Sequence, residues 1–298
     1  MALKIIRSDE PITVSQIVMA LYGNPGLGKT TLGFSSDTPI LLDFDQGCYR
    51  ATKNRGDSVQ IESWQDVTNI TAEDLAPFKT VVVDTAGRAL DFLTVDIIRR
   101  DPKKGYGGAL TLQGYGVLKS EFTAWLRSLK MIGKDVVLVA HSSEDKKGDE
   151  LIERLDVQGG SKGEIYKSAD AMGRISMVGG RRILNFSPTD AAFGKNPGNL
   201  EPLVIPDIEL EPSFLSGVMD TIKTRLNELT EAQEKRKAAI ADWLAQIETA
   251  KTADDFSDLA DLIKDAEKSI LPILRGAFSK ALKDAGLTYD KKQGYVSA

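Results

Sequence analysis

Short apolar runs closed by turn residues recur over the first two-thirds of the chain. They are Ile17–Tyr22 before Gly23, Ile40–Phe44 after Pro39, Thr80–Val83 before Asp84, and Val136–Ala140 before His141. The runs are near-continuous rather than alternating, which is the pattern of strands covered on both faces, as in a parallel sheet between helices. Ile175–Val178 and Arg182–Phe186 predict a hairpin turning through Gly179-Gly180. Leu118, Phe122, Trp125, Leu126 and Leu129 recur at three and four residues and so share one helical face. Residues 1–210 therefore predict an α/β domain with a mostly parallel sheet between helices.

After Pro206 and Pro212 the strand signals give way to helical spacing. Phe214, Val218, Ile222, Leu226 and Leu229 form one stripe, and Ile240, Trp243, Leu244 and Ile247 a second. Phe256, Leu259, Ile263, Ala266 and Ile270 form a third, preceded by Thr252-Ala-Asp-Asp255, a capping box with Asp in place of Glu. A last helix holds Pro272 in its first turn and stops at Gly286. Residues 211–298 thus predict an α-helical region whose stripes pack on each other or on the core.

Composition narrows the classes. The 298 residues carry 38 Lys+Arg against 43 Asp+Glu, a net charge of −5, with 42% hydrophobic and 27% charged residues. That is an ordinary globular balance and excludes a disordered or collagen-like chain. The single cysteine, Cys48, excludes an internal disulfide and a multi-cysteine metal site and points to a reducing compartment. No apolar run reaches the roughly 20 residues of a membrane span. The start, Met1 to Glu10, lacks the apolar segment of a secretion signal. The expectation is a cytoplasmic protein with no membrane partner. The acidic balance offers no bulk attraction for nucleic acid, so such a role needs a local patch.

The strongest chemical signal is Gly23-Asn24-Pro25-Gly26-Leu27-Gly28-Lys29-Thr30, a full G-x-x-x-x-G-K-[ST] phosphate loop (P-loop) between a strand and the helix start Lys29-Thr30-Thr31-Leu32. Glycines let backbone N–H groups turn inward around phosphates without a Cβ in the way. Lys29 supplies a full positive charge, and the Thr30 hydroxyl completes a Mg²⁺ shell. The expected nucleotide contacts are Gly23, Asn24, Pro25, Gly26, Leu27, Gly28, Lys29, Thr30 and Thr31. Asp84, at the carboxyl end of an apolar strand, is the second group expected at the metal. Asp43 and Asp45 end the strand after the loop, and a carboxylate there can orient the attacking water. Asp84-Thr85-Ala86-Gly87 also resembles the switch segment of small GTPases, but the N/T-K-x-D sequence that selects guanine in that family does not occur.

Strand, P-loop and short helix, then Leu41-Leu42-Asp43-Phe44-Asp45-Gln46, then VVVD, then VVLVA-His141, together resemble the RecA-type ATPase core. In particular they resemble the RecA-like ATPases encoded by bacteriophages, some of which are single-strand annealing or recombination proteins. The likeness spans residues 12–205. Gln113-Gly114-Tyr115-Gly116 and Arg182–Pro188 leading to Gly194-Lys195-Asn196 add to it. The resemblance implies ATP with Mg²⁺, and Asp45 as the catalytic carboxylate where RecA itself carries Glu. It implies His141 as the γ-phosphate sensor and Lys195 as a cation reaching a neighbour's nucleotide, hence a homo-oligomer.

Charge is uneven. Between Ile97 and Lys134, Arg99, Arg100, Lys103, Lys104, Lys119, Arg127, Lys130 and Lys134 face only Asp101 and Glu121. Tyr106 and Tyr115 sit in glycine-rich surroundings there, and a mobile basic loop with aromatic rings suits single-stranded DNA. Ser142 to Ser168, with Lys146-Lys147-Gly148 and Gly159-Gly160-Ser161-Lys162-Gly163, predicts a second long polar loop, either a DNA-binding loop, as the resemblance implies, or a lid over the nucleotide. Two other readings stay open: a P-loop ATPase acting on protein assemblies, and a nucleotide-binding scaffold that does not hydrolyse.

Overall fold

The computed structural model describes residues 12–51, 53–147, 150–157, 161–290, 292 and 294–297. Contacts divide the chain into Val14–Leu226 and a second unit holding the residues from Asn227 onward. The expected boundary at 210 differs from this division, which falls inside a helix. The reason is that Leu215, Val218, Met219 and Ile222 of that helix are buried in the core of the first unit.

The first unit is built on one nine-stranded sheet. Its strands are β1 (Val18–Gly23), β2 (Pro39–Asp43), β3 (Asp57–Gln60), β4 (Thr80–Asp84), β7 (Asp135–Lys147), β8 (Glu150–Leu155), β9 (Ala171–Val178), β10 (Arg181–Asn185) and β11 (Leu203–Val204). The order is β11-β10-β9-β1-β7-β4-β2-β3, with β8 paired to β7. Pairing is parallel from β9 through to β3 and antiparallel for β9 with β10, β10 with β11, and β7 with β8. This is the mostly parallel sheet between helices that the apolar runs predict.

Neighbouring residues of each central strand enter opposite cores, as expected where both faces are covered. Val81 and Val83 pack with Leu90, Leu93, Leu118 and Phe122 on one side. Val82 packs with Leu32, Leu41, Leu215 and Ile222 on the other. The first side is supplied by α2 (Trp64–Asn69), α3 (Ala86–Arg100), α4 (Leu112–Met131) and α5 (Ser161–Ser168), and the second includes α1 (Lys29–Gly33). Register brings the strand ends together, with Gly23 level with His141 and Asp43 level with Asp84.

Both expected loops are instead largely regular structure. Gly105–Tyr106 (β5) and Ala109–Leu110 (β6) pair as a small hairpin through Gly107 and Gly108, both at positive φ. Gln113 to Gly116 are not loop at all. They lie in the first turns of α4, whose N-cap Thr111 accepts a hydrogen bond from the Gly114 N–H, and Tyr115 packs against the core. The other end of α4 closes by a Schellman motif: the Lys134 N–H reaches the Leu129 carbonyl and the Gly133 N–H reaches that of Lys130, with Gly133 at φ +80°. Within 142–168, β7 and β8 form a long antiparallel hairpin followed by α5. Gly148, Gly159 and Gly160 of the expected loop, like the start Met1 to Glu10, lie outside the described residues.

The first two stripes prove to lie on one long helix, α6 (Phe214–Thr249), which is followed by α7 (Ala253–Lys264) and α8 (Leu271–Asp284). The Thr252–Asp255 capping box and a proline at the start of α8 are present, and Gly286 follows α8 at φ +67°. Ile247, Ile263, Ile270 and Leu274 form the core of the second unit. A terminal hairpin, β12 (Leu287–Asp290) with β13 (Gly294–Ser297), departs from the all-helical expectation. Its runs are too short to register as a strand pattern, and Tyr295 is held there by Phe256 and Phe278. Among the described residues no helix is long and apolar enough to cross a membrane.

Candidate functional site

The turn after β1 carries the phosphate-loop residues. Gly28 sits at φ +75°, a backbone that favours glycine, and a Cβ there would lie 2.6 Å from the end of the Arg182 side chain, which would have to move. The Lys29 side chain is buried beside the loop and its Nζ donates to the carbonyls of Gly23 and Asn24, each at 2.9 Å. Burial pushes its pKa down, and the nearby Asp84 opposes this. Thr30 Oγ1 donates to Asp84 Oδ2 at 2.5 Å, across from the end of β4. Burial pushes the Asp84 carboxyl up, the Thr30 hydrogen bond opposes it, and the charges of Asp43 and Asp45 raise it further. The Lys29 charge lowers it in turn, and a second cation at this carboxylate would favour its ionised form further.

These groups face a chamber of about 550 Å³, lined among others by Gly28, Lys29, Thr30, Asp45, Asp84 and His141. His141 lies level with Gly23 across the β1–β7 pairing. Its Nδ1 is buried with no hydrogen-bond partner among the described residues. Burial, then the charge of Lys29, lowers its pKa, so the ring is neutral at pH 7 and has hydrogen-bonding capacity unused. Next to it, Ser142 Oγ donates to Asn24 Oδ1 at 2.6 Å and ties β7 to the loop.

The structure separates two carboxylates that the sequence leaves alike. Asp43 is buried, and its two oxygens accept the N–H groups of Gly47 and Cys48 at 3.0 Å each, so it holds the turn after β2. Asp45 faces the chamber and pairs with Arg50 at 2.9 Å and Arg88 at 3.5 Å. A second cleft, about 630 Å³, adjoins the first through Gly26, Thr31 and Arg50, and Leu27 faces this cleft. Its walls include Ile205, Pro206 and Ile208, and Arg182 crosses it with Nη2 on the Pro206 carbonyl at 2.9 Å.

Lys195 is not brought to this chamber. Its Nζ donates to the carbonyls of Ala169 at 2.5 Å and Tyr166 at 3.1 Å, closing the end of α5, and lies over the Tyr166 ring. Sequence reasoning missed Arg50, Arg88 and Arg182 as site residues. Arg182 opens a run already singled out and Arg88 follows directly on Asp84–Gly87, but no motif reaches Arg50.

The basic stretch also changes character. Arg99 and Arg100 both pair with Asp96 at 2.7 Å, and Arg100 also with Glu121 at 2.6 Å. Lys119 pairs with Glu164 at 2.8 Å and Lys130 with Asp170 at 2.9 Å. Lys134 is buried, its Nζ on the Phe78 carbonyl at 2.6 Å. Asp96, Glu164 and Asp170 lie outside the 97–134 window, so its count of charges overstates the field at the surface. Lys103 and Arg127 have no ion pair among the described residues, and Tyr106 on the β5–β6 hairpin is 87% exposed.

The chamber fits a nucleoside triphosphate with a divalent cation. It presents a buried ammonium held only by carbonyls, an acid raised by burial beside a hydroxyl, and an unpartnered imidazole. Comparison with known proteins bears on the same region. The AAA domain family matches residues 15–197. Among solved structures, the flagellar accessory protein FlaH from Methanocaldococcus jannaschii is similar at 8% identity, over 56% of this chain and 75% of that one, with a TM-score of 0.34. No curated protein sequence matches the chain.

Proposed function

The chain belongs to the AAA domain family of P-loop, nucleotide-binding ATPases, and from that premise we propose that it hydrolyses ATP with Mg²⁺ in the chamber at the end of β1. The observation that carries this is the convergence of Lys29, Thr30 and Asp84 from two separate strand ends on one cavity. Lys29 would leave its two loop carbonyls for the β- and γ-phosphates. Thr30 and Asp84 would hold Mg²⁺, which when bound screens the charge on the phosphate oxygens. Asp45 would orient the attacking water and accept its proton, and neutral His141, which lines the chamber, would hydrogen-bond a γ-phosphate oxygen. The nucleoside would extend over Leu27 into the second cleft, since the two cavities share a wall.

Hydrolysis in this reading serves single-stranded DNA in phage recombination, repair or replication, with the protein acting as an oligomer in the host cytoplasm. Its support is the resemblance to phage RecA-like ATPases together with exposed Tyr106 beside Lys103, a ring and a cation suited to a base and a phosphate. A second reading, an ATPase working on protein assemblies, is favoured by the internal pairing of Arg99, Arg100, Lys119 and Lys130.

The test is direct. Lys29→Ala should lose saturable ATP binding at concentrations that saturate the wild type, and normal affinity in that variant removes the assignment. ATP turnover measured with and without single-stranded DNA separates the clients. Stimulation supports the first reading, while no stimulation and no low-salt DNA binding supports the second. Binding without turnover leaves a scaffold.

A further inference from the structure

Asp45 is the chamber carboxylate that the proposed reaction uses, yet both of its oxygens are engaged by arginines. Arg50 Nη2 lies 2.9 Å from Oδ2, and Arg88 Nε lies 3.5 Å from Oδ1. The two cations differ in what else holds them. Arg88, in the first turn of α3, also bonds Asp91 at 3.3 Å. Arg50 ends the short 3₁₀ turn Cys48–Arg50, which Asp43 anchors through the N–H groups of Gly47 and Cys48. Its guanidinium folds back over Gly47, where a Cβ would lie only 2.0 Å from Nη2. The backbone under Arg50 is thus fixed, while the side chain, 58% exposed, bonds Asp45 directly. Among the described residues it otherwise reaches only its neighbour Tyr49, whose hydroxyl accepts from Nη1 at 3.4 Å and whose ring centre lies 5.3 Å from the guanidinium carbon.

Position gives this pair its meaning. Arg50 lines both the phosphate chamber and the second cleft, so its guanidinium stands where a nucleotide passes from one to the other. An ion pair this exposed is weak, because water screens it and long side chains lose freedom in making it. A triphosphate offers a guanidinium several anionic oxygens and bidentate geometry.

We propose that Arg50 is a phosphate-binding residue of the nucleotide site, held in reserve on Asp45. On nucleotide binding the guanidinium transfers from the Asp45 carboxylate to the phosphate oxygens. Asp45 then keeps Arg88 as its orienting partner and presents Oδ2 to the chamber. The ligand drives the exchange because it interacts differently with the two positions of Arg50. The proposal rests on the reading of the chamber as a triphosphate site. It goes beyond that reading by adding a cation from a turn that carries no motif.

The experiment is a double-mutant cycle on the full chain, reading the affinity for Mg²⁺ with a non-hydrolysable ATP analogue in wild type, Arg50→Ala, Asp45→Asn and the double variant. Arg50→Ala should weaken binding about tenfold, the loss of one charge-assisted contact, and Arg50→Lys should recover part of it. The sign of the coupling decides between an exchange and a permanent pair. If Arg50 leaves Asp45 for the ligand, Asp45→Asn removes a competitor and tightens binding more when Arg50 is present than when it is alanine. If Arg50 stays on Asp45, it already neutralises that charge, and Asp45→Asn tightens binding more in the Arg50→Ala background. That result, strict additivity, or an unchanged affinity in Arg50→Ala overturns the proposal. Lys29-dependent binding that persists with the wrong sign sinks this inference alone, whereas a wild type that does not bind the analogue sinks the site with it.

Discussion

Two regions of the first unit hold much of its positive charge, and they treat it in opposite ways. In the phosphate chamber Asp45 is paired with Arg50 and Arg88, but Lys29 is buried on carbonyls alone, Asp84 is buried against a hydroxyl, and His141 keeps a ring nitrogen without a partner among the described residues. Along α3 and α4, most cations have met an acid: Arg99 and Arg100 on Asp96, Lys119 on Glu164, Lys130 on Asp170. Asp170 also accepts the Val18 N–H, so the Lys130 pair fastens α4 near the start of β1. Unmatched charge in a cavity marks a place where a ligand completes the electrostatics. Matched charge on helix surfaces marks attachment, and each exposed pair contributes only about 0.2–1 kcal/mol.

The contrast can be broken by substitution. The largest effect is expected at Gly28. Gly28→Val forces a branched residue into the left-handed region and onto Arg182, which should cost roughly 1–3 kcal/mol of stability from backbone strain alone. It should also abolish the rise in melting temperature expected on adding ATP to the wild type. A variant that retains that rise would mean the chamber does not need this turn.

At Lys134 the expected cost in stability is comparable but the nucleotide response is spared, so the total effect is smaller. Lys134→Ala removes a buried ammonium from the Phe78 carbonyl and should destabilise by about 1.5–3 kcal/mol in denaturant unfolding. Nucleotide affinity and the salt dependence of any DNA binding should not change. A change in that salt dependence would return Lys134 to the surface field from which the structure removes it.

The smallest belongs to Lys103, which stands beside exposed Tyr106. Lys103→Ala should alter stability by less than about 0.5 kcal/mol. If DNA binds here, the slope of log affinity against log salt should shallow by about one. An unchanged slope assigns this hairpin to something other than a phosphate backbone.

Much of the architecture is legible in the chain because the relevant signals are local. The apolar runs at β1, β2 and β4 name their own strands, Gly179-Gly180 names its hairpin, and the Thr252–Asp255 box names a helix start. The loop from Gly23 to Thr30 is legible for the same reason, since a left-handed glycine and a following lysine are read within eight residues. Other features were not legible. Gln113 to Gly116 look like loop by their glycines, yet they are helix because Thr111 caps them and Tyr115 finds the core. The polar residues after His141 look irregular, yet they pair, since hairpin hydrogen bonds do not need apolar side chains. Arg50 carries no motif, and the sequence signals at Arg88 and Arg182 assign neither a role, because all three enter the site through the path of the backbone.

The sequence by itself determined the class of sheet, the phosphate-gripping turn and the strand ends that surround it. Each of these depends on periodicity or on backbone freedom within a few consecutive residues. Only the tertiary structure decided which of Asp43 and Asp45 faces the chamber, where Lys195 rests, and how little of the basic stretch is free. Those outcomes depend on which charges meet across the sheet, and electrostatic partners are chosen by distance in space rather than along the chain.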